Sequence, residues 1–107
     1  MTGRIYLIGA GPGDPDLLTV KAARLLAQAG AVLYDRLVSP EVLALAHPDA
    51  ELHFVGKREG EQATIQNEIL LLLEDCARRH PSVVRLKGGD PMVFGRGAEE
   101  WEIGRAS

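Results

Sequence analysis

Short apolar runs alternate along this chain with segments whose apolar residues recur at helical spacing. Ile5 to Ile8 is apolar and closes on Gly9, which predicts a first strand. Asp14 or Asp16 is a candidate cap for a helix reaching about Ala29, with Pro15 tolerated in its first turn. Leu18, Ala22, Leu25, Leu26 and Ala29 share one face of it, and Gly30 is its expected stop. Ala31 to Tyr34 predicts a second strand. Ser39 then caps a short helix with Pro40 at its first position, ending before His47-Pro48. Leu52 to Val55 predicts a third strand, and Gly56 to Gln62 a polar loop. Thr64 is the expected cap of a longer helix with Ile65, Ile69, Leu72, Leu73 and Cys76 on one face. That helix ends near Arg78-Arg79-His80, cations suited to a helix C-terminus, and Pro81 stops it. Val83 to Lys87 predicts a fourth strand, and a last helix is expected to begin near Gly97. Apolar strands separated by helices predict an α/β fold, a parallel sheet flanked by helices.

Composition narrows the classes. A chain of 107 residues with 46% hydrophobic and 25% charged residues suits one small globular domain, residues 1–107. A net charge of −3 gives no support to nucleic-acid binding. No apolar run approaches a membrane span, and the first residues lack a signal-peptide pattern. The single Cys76 excludes an intrachain disulfide framework and reads as a buried small hydrophobe. A reducing, cytoplasmic setting is expected. Breaking off at Trp101 to Ser107, where a helix should be settling, the chain is expected to be one domain of a longer protein.

In a parallel sheet the loops that follow the strands share one edge, where α/β folds bind ligands. Gly9-Ala10-Gly11-Pro12-Gly13-Asp14 lies on that edge. It differs from a dinucleotide fingerprint, because Asp14 stands where a third glycine should be and Pro12 removes an N–H. Asp14 and Asp16 also put negative charge where a phosphate would sit, so the loop suits a ligand without phosphates. Asp35 follows the second strand and is a candidate base, hydrogen-bond anchor or partner for Arg36. Lys57 and Arg58 follow the third strand and suit a carboxylate-rich ligand. Gly88-Gly89-Asp90-Pro91 follows the fourth, with glycines that allow a close backbone approach. Arg85 and Lys87 share one face of the fourth strand. Arg96, between Gly95 and Gly97, is free to reach a ligand. His47, His53 and His80 have no metal-ligand spacing along the chain, so no metal is expected.

GAGPGDP, YDRLVS, VGKR and RLKGGDPMVFGRGAEE, in this order, resemble the tetrapyrrole methylase superfamily over about Arg4 to Glu100. Within it the chain is similar to the uroporphyrinogen-III C-methyltransferases. The resemblance implies the N-terminal domain of that fold and transfer of methyl groups from S-adenosyl-L-methionine to uroporphyrinogen III. The product would be precorrin-2, on the routes to sirohaem and cobalamin, and the protein a homodimer. By motif, Pro12, Gly88, Gly89, Asp90 and Val93 would contact the methyl donor. Asp35 would accept a proton and Lys57 donate one, while Arg96 and Glu99 would handle the substrate. Ala98 stands where relatives carry a second glycine, a mild departure at a helix start. Cationic Lys57, Arg58, Arg85 and Arg96 would suit a substrate with eight carboxylates. The same implication places the donor between two domains, so 107 residues alone are expected to transfer methyl weakly or not at all. A methylase of a later corrin intermediate and a non-catalytic binding or assembly domain remain open alternatives.

Overall fold

The computed structural model describes residues 3–56, 65–89, 92–97 and 100–105. Its strands are β1 (Arg4–Gly9), β2 (Ala31–Tyr34), β3 (Glu51–Phe54), β4 (Ser82–Lys87), β5 (Met92–Gly97) and β6 (Glu100–Arg105). Its helices are α1 (Val20–Gln28), α2 (Pro40–Leu43) and α3 (Ile65–Arg79). The strands form one sheet in the order β3-β2-β4-β1-β5-β6. β3, β2, β4 and β1 are parallel, with Tyr34 opposite Phe54 and Leu86, and Gly9 opposite Lys87.

The inner parallel strands are largely apolar on both faces because helices cover both, while the edge strand β3 alternates and is partly exposed. On one face Tyr6, Ile8, Val32, Val84 and Leu86 pack with Ala22 and Leu26 of α1 and Val42 of α2. On the other, Ala31, Leu33 and Val83 pack with Leu73, Cys76 and Ala77 of α3. Cys76 is fully buried, as its helical spacing predicts, and burial pushes its thiol pKa up.

Two expectations need correction. The helix expected to run from Asp14 or Asp16 to Ala29 is divided. Asp14 Oδ1 accepts from the Asp16 N–H at 2.9 Å and caps a 3-10 turn, Pro15–Leu17. Leu18 is extended, and Thr19 Oγ1 accepts from the Ala22 N–H at 2.9 Å to start α1. Two side-chain caps five residues apart each satisfy a first turn, and the backbone breaks between them. The helix expected near Gly97 is replaced by strand. β5 runs antiparallel on β1, with Gly9 opposite Met92 and Ile5 opposite Arg96, and β6 runs antiparallel on β5. The outer side of β1 would otherwise expose a row of unpaired N–H and C=O groups, and Val93 and Phe94 are good strand formers. The sheet is therefore a parallel core extended by an antiparallel pair.

Gly30 stops α1 without adopting a left-handed conformation, since the positive-φ glycines among the described residues are Gly11, Gly13 and Gly89. Close approach explains it instead. Its N–H donates to Ser82 O at 2.9 Å, its carbonyl accepts from the Glu51 N–H at 3.0 Å, and a Cβ there would meet His80 Cγ at 2.6 Å. Gly30→Ala is expected to force the imidazole aside and to cost about 1–3 kcal/mol, an overpacking penalty. A urea titration followed by circular dichroism measures this as a lower midpoint.

Candidate functional site

The carboxyl ends of the four parallel strands bring the predicted loops to one edge. After β1, the Ala10 N–H donates to Lys87 O at 2.6 Å and extends the β1–β4 ladder by one bond. Gly11 (φ 68°) and Gly13 (φ 109°) then turn the chain through the left-handed region, with an exposed Pro12 between them. After β4, Gly89 (φ 116°) turns back toward this loop, and its N–H donates to Gly11 O at 3.0 Å. The two glycine turns, 78 positions apart in sequence, are thus joined by a backbone hydrogen bond.

Asp35 begins the loop after β2. Its Oδ1 accepts from the Leu37 N–H at 2.9 Å, which closes a side-chain turn, and from the Gly88 N–H at 3.4 Å. Its Oδ2 lies 4.0 Å from Arg85 Nη1, with the two side chains 17% and 11% exposed. So the carboxylate faces Arg85 rather than Arg36 and anchors the β4 loop at the same time. Arg85 Nη1 also donates to Leu86 O at 3.0 Å. Burial lowers the guanidinium pKa and the Asp35 charge opposes that shift. Arg85, read from sequence as a cation for the substrate, is engaged inside the protein.

Gly88 is required by proximity. A Cβ there would clash with Leu37 Cβ and lie 2.6 Å from the Leu37 carbonyl carbon. At Gly89 the Cβ direction has no atom within 4 Å, so this turn opens outward. Ser39 joins the β2 loop to the first glycine loop. Its Oγ donates to Gly13 O at 2.6 Å while accepting from the Val42 N–H at 3.2 Å as the cap of α2. Sequence patterning identified the cap; the bond to Gly13 was missed, because nothing local distinguishes a capping serine that also bridges two loops.

Gly56, after β3, comes close to the same region. A Cβ on it would meet the Phe54 ring at 2.6 Å and Arg36 N at 3.0 Å. Phe54 itself packs edge-on against Tyr34, with ring centroids 5.6 Å apart. Lys57 follows Gly56 directly, and Lys57, Arg58, Asp90 and Glu99 lie outside the described residues.

The structure therefore brings Pro12, Asp35, Gly88 and Gly89 to one edge. Val93 is paired with Ile8 near that edge. Arg96 is paired with Ile5, toward the opposite end of β1, about four residues or ~13 Å along the strand. The fold does not bring Arg96 to this edge.

The edge fits a cationic ligand lacking phosphates. Its glycine turns present backbone with open space on the Cβ side of Gly89. Its neighbouring carboxylate accepts from two backbone N–H groups and faces Arg85, and Asp14 and Thr19 cap the turns that follow the first glycine loop. No helix among the described residues is long and apolar enough to cross a membrane.

Comparison with known proteins agrees with this geometry. A family model described as tetrapyrrole (corrin/porphyrin) methylases matches residues 4–107. The siroheme synthase of Pseudomonas putida (strain W619) is 58% identical over 100 residues, covering 94% of this chain and 22% of that protein. The chain thus spans about a fifth of the length of such relatives. The native crystal structure of uroporphyrin III C-methyl transferase from Thermus thermophilus superposes with a TM-score of 0.68 at 64% identity, covering 86% of this chain and 38% of that one. A structure of the Thermus enzyme complexed with S-adenosyl homocysteine gives 0.64 at 58% identity, covering 83% and 34%. A glycine-loop edge built around Asp35 and Gly88-Gly89, on a chain matched from Arg4 to its last residue, places this protein in the tetrapyrrole methylase family.

Proposed function

We propose that this chain forms the methyl-donor half of an S-adenosyl-L-methionine-dependent C-methyltransferase acting on uroporphyrinogen III to give precorrin-2, a precursor of sirohaem and cobalamin. The observation that carries the reading is the joining of the two glycine turns, Gly89 N–H to Gly11 O, with Asp35 holding Gly88 beside them. A second domain, outside these residues, would complete the cleft. The reading includes a homodimer in the cytoplasm, without nucleic acid or membrane as partners.

Pro12, Gly88 and Gly89 would line the donor's seat, with Asp90 and Val93 beside them. When bound, the donor supplies an electrophilic methyl whose bond to sulfur breaks as a bond to a pyrrole carbon forms. The chain contributes position first. A donor and an acceptor carbon held in line gain much of the rate from orientation alone. Asp35 is the acceptor for the proton the ring system gives up, and Lys57 is the group that returns one. Asp35 is suited to this because its Oδ1 is fixed by backbone donors and its Oδ2 is left to the weaker, 4.0 Å interaction with Arg85. Lys57 and Arg58 suit the substrate's carboxylates. Arg96, distant from this edge, is given no part in the cleft.

Calorimetry with S-adenosylhomocysteine tests the proposal. The folded chain is expected to bind one equivalent, and Gly89→Val to lose binding while keeping its circular dichroism. Valine is strained at a φ of 116°, and its side chain would project into the open space beside the turn, where the donor is proposed to sit. A folded chain that fails to bind, or a Gly89→Val variant that binds unchanged, overturns the reading. Turnover with uroporphyrinogen III comparable to that of a full-length enzyme would overturn the two-domain part of it.

A further inference from the structure

We propose a zinc site at the opposite end of the sheet, formed by Glu51 and His53 of β3 and Cys76 of α3. Their ligand atoms lie within 4.8 Å of one another. Sequence spacing conceals the group, because two ligands come from an edge strand and one from a helix. Glu51 and His53 are two apart on a strand and so share a face. That face is the one covered by α3, where Cys76 points inward at 0% exposure. His53 Nε2 is already 3.2 Å from Glu51 Oε2. Ligand atoms around a tetrahedral zinc are separated by about 3.3–3.7 Å, so closing the group needs about an ångström of movement. A thiolate, an imidazole and a carboxylate in a tetrahedral arrangement suit Zn²⁺ better than Mg²⁺ or Ca²⁺, which take oxygen ligands.

In the described structure a cation already serves this cluster. The Arg79 guanidinium is ion-paired with Glu51, and its Nη2 lies 3.6 Å from Cys76 Sγ. Arg79 has a second carboxylate to go to, since Nη2 is 3.1 Å from Asp75 Oδ2 one turn back. Zinc entry would therefore transfer Arg79 wholly onto Asp75. The Cys76 S–H bond breaks, its proton leaves to solvent, and the sulfur lone pair forms the bond to zinc. With Glu51 and Cys76 both anionic, the Zn²⁺ charge is balanced. His53 binds through Nε2 as the Nδ1–H tautomer, and water completes the tetrahedron. His80 Nε2, 3.1 Å from Glu51 Oε1, orients the carboxylate from behind, as outer partners of metal ligands do. The result is a clasp fastening the edge strand β3 to α3, remote from the methyl-donor edge and independent of the function proposed for it.

Cobalt substitution reads the site directly. Co²⁺ added to the reduced chain is expected to bind one equivalent and give a thiolate-to-metal charge-transfer band with visible bands of tetrahedral intensity. Loading the metal-free chain with either Co²⁺ or Zn²⁺ should release about one proton per site, and Zn²⁺ should displace bound Co²⁺ without further proton release. Cys76→Ser should lose the charge-transfer band. His53→Gln, at a partly exposed position safe for folding, should lose the tetrahedral bands. His80→Ala should weaken binding by about 10- to 100-fold. Arg79→Met should tighten binding, because it removes the competing cation and keeps the aliphatic stem. Absence of the charge-transfer band, its survival in Cys76→Ser, or a tetrahedral spectrum unchanged in His53→Gln overturns the proposal. So does an Arg79→Met variant that binds no more tightly than the parent chain.

Discussion

Asp35→Asn is expected to slow methyl transfer by about 10²- to 10⁴-fold, the usual worth of a positioned general base. The measurement is a single-turnover transfer from S-adenosyl-L-methionine to uroporphyrinogen III, which registers even the slow reaction expected of this chain. Asparagine keeps an Oδ1 acceptor for the Leu37 and Gly88 N–H groups, so the loop and the affinity for S-adenosylhomocysteine should survive. Asp35→Ala should behave differently. It leaves those two donors and the largely buried Arg85 guanidinium without their carboxylate. Unsatisfied buried donors cost about 1–3 kcal/mol each where water cannot reach them. Alanine is therefore expected to lower stability and donor affinity together, whereas asparagine, which keeps the Oδ1 bonds and gives up only the charge facing Arg85, lowers chiefly the rate. If asparagine transfers methyl at the parent rate, Asp35 is an anchor for the β4 loop and not a proton acceptor.

Leu86→Ala is expected to destabilise the chain by about 2–5 kcal/mol, the range for truncating a buried leucine. Leu86 is fully buried and packs in the cluster with Tyr6, Ile8, Ala10 and Val38. Against the roughly 5–15 kcal/mol that holds a small domain together, this is a large fraction. Each kcal/mol shifts Tm by about 4–8 °C in a domain near this size, so calorimetric scanning should show a fall of about 8 °C or more. The effect should reach the site as well. Leu86 is two residues from Gly88, and Ala10 and Val38 of the same cluster lie in the other two loops of the edge. A cavity here loosens all three loops. Leu52→Ala, on the edge strand and 48% exposed, is the control and should change Tm little. Equal effects at both positions would show that Leu86 is not a support of the edge.

The balance of charges far from this edge has its own order. Glu51 accepts from Arg79, His53 and His80, and these hydrogen bonds, with Arg79 first, hold its carboxyl pKa down at about 2. The same pairing raises the Arg79 pKa above its ordinary value. With Gly30 pressed against the His80 ring, this cluster connects the starts of β3 and β4 with the end of α3.

The strands of the parallel core were legible in the chain because each carries a short run of strand-forming apolar residues, buried on both faces in β2 and the middle of β4, which needs no knowledge of its neighbours. The α2 cap at Ser39 and the end of α3 at Arg78-Arg79 were legible for the same local reason. The break at Leu18 was not, since Asp14 and Thr19 are both good caps and periodicity spans them. Nor was the strand pairing of Met92 to Arg105, where local signals at Gly97 favoured a helix. An unpaired edge on β1 exists only once the other strands have assembled, and this decided the outcome.

The site divides in the same way. Glycines at 11, 13, 88 and 89 and the acid at 35 were visible as loop chemistry, because glycine's freedom and a carboxylate's charge belong to the residue. That Asp35 meets Arg85 across two parallel strands, that Gly88 is glycine because Leu37 leaves no space for a Cβ, and that Ser39 reaches Gly13 depend on register between distant segments. The gathering of Glu51, His53 and Cys76 depends on it too. The sequence by itself determined the alternation of strand and helix, the family, and the residue types at the ligand edge, since these follow from side-chain chemistry and short-range periodicity. Only the tertiary structure decided which of those residues meet, because partners far apart in the chain are chosen by sheet order and packing.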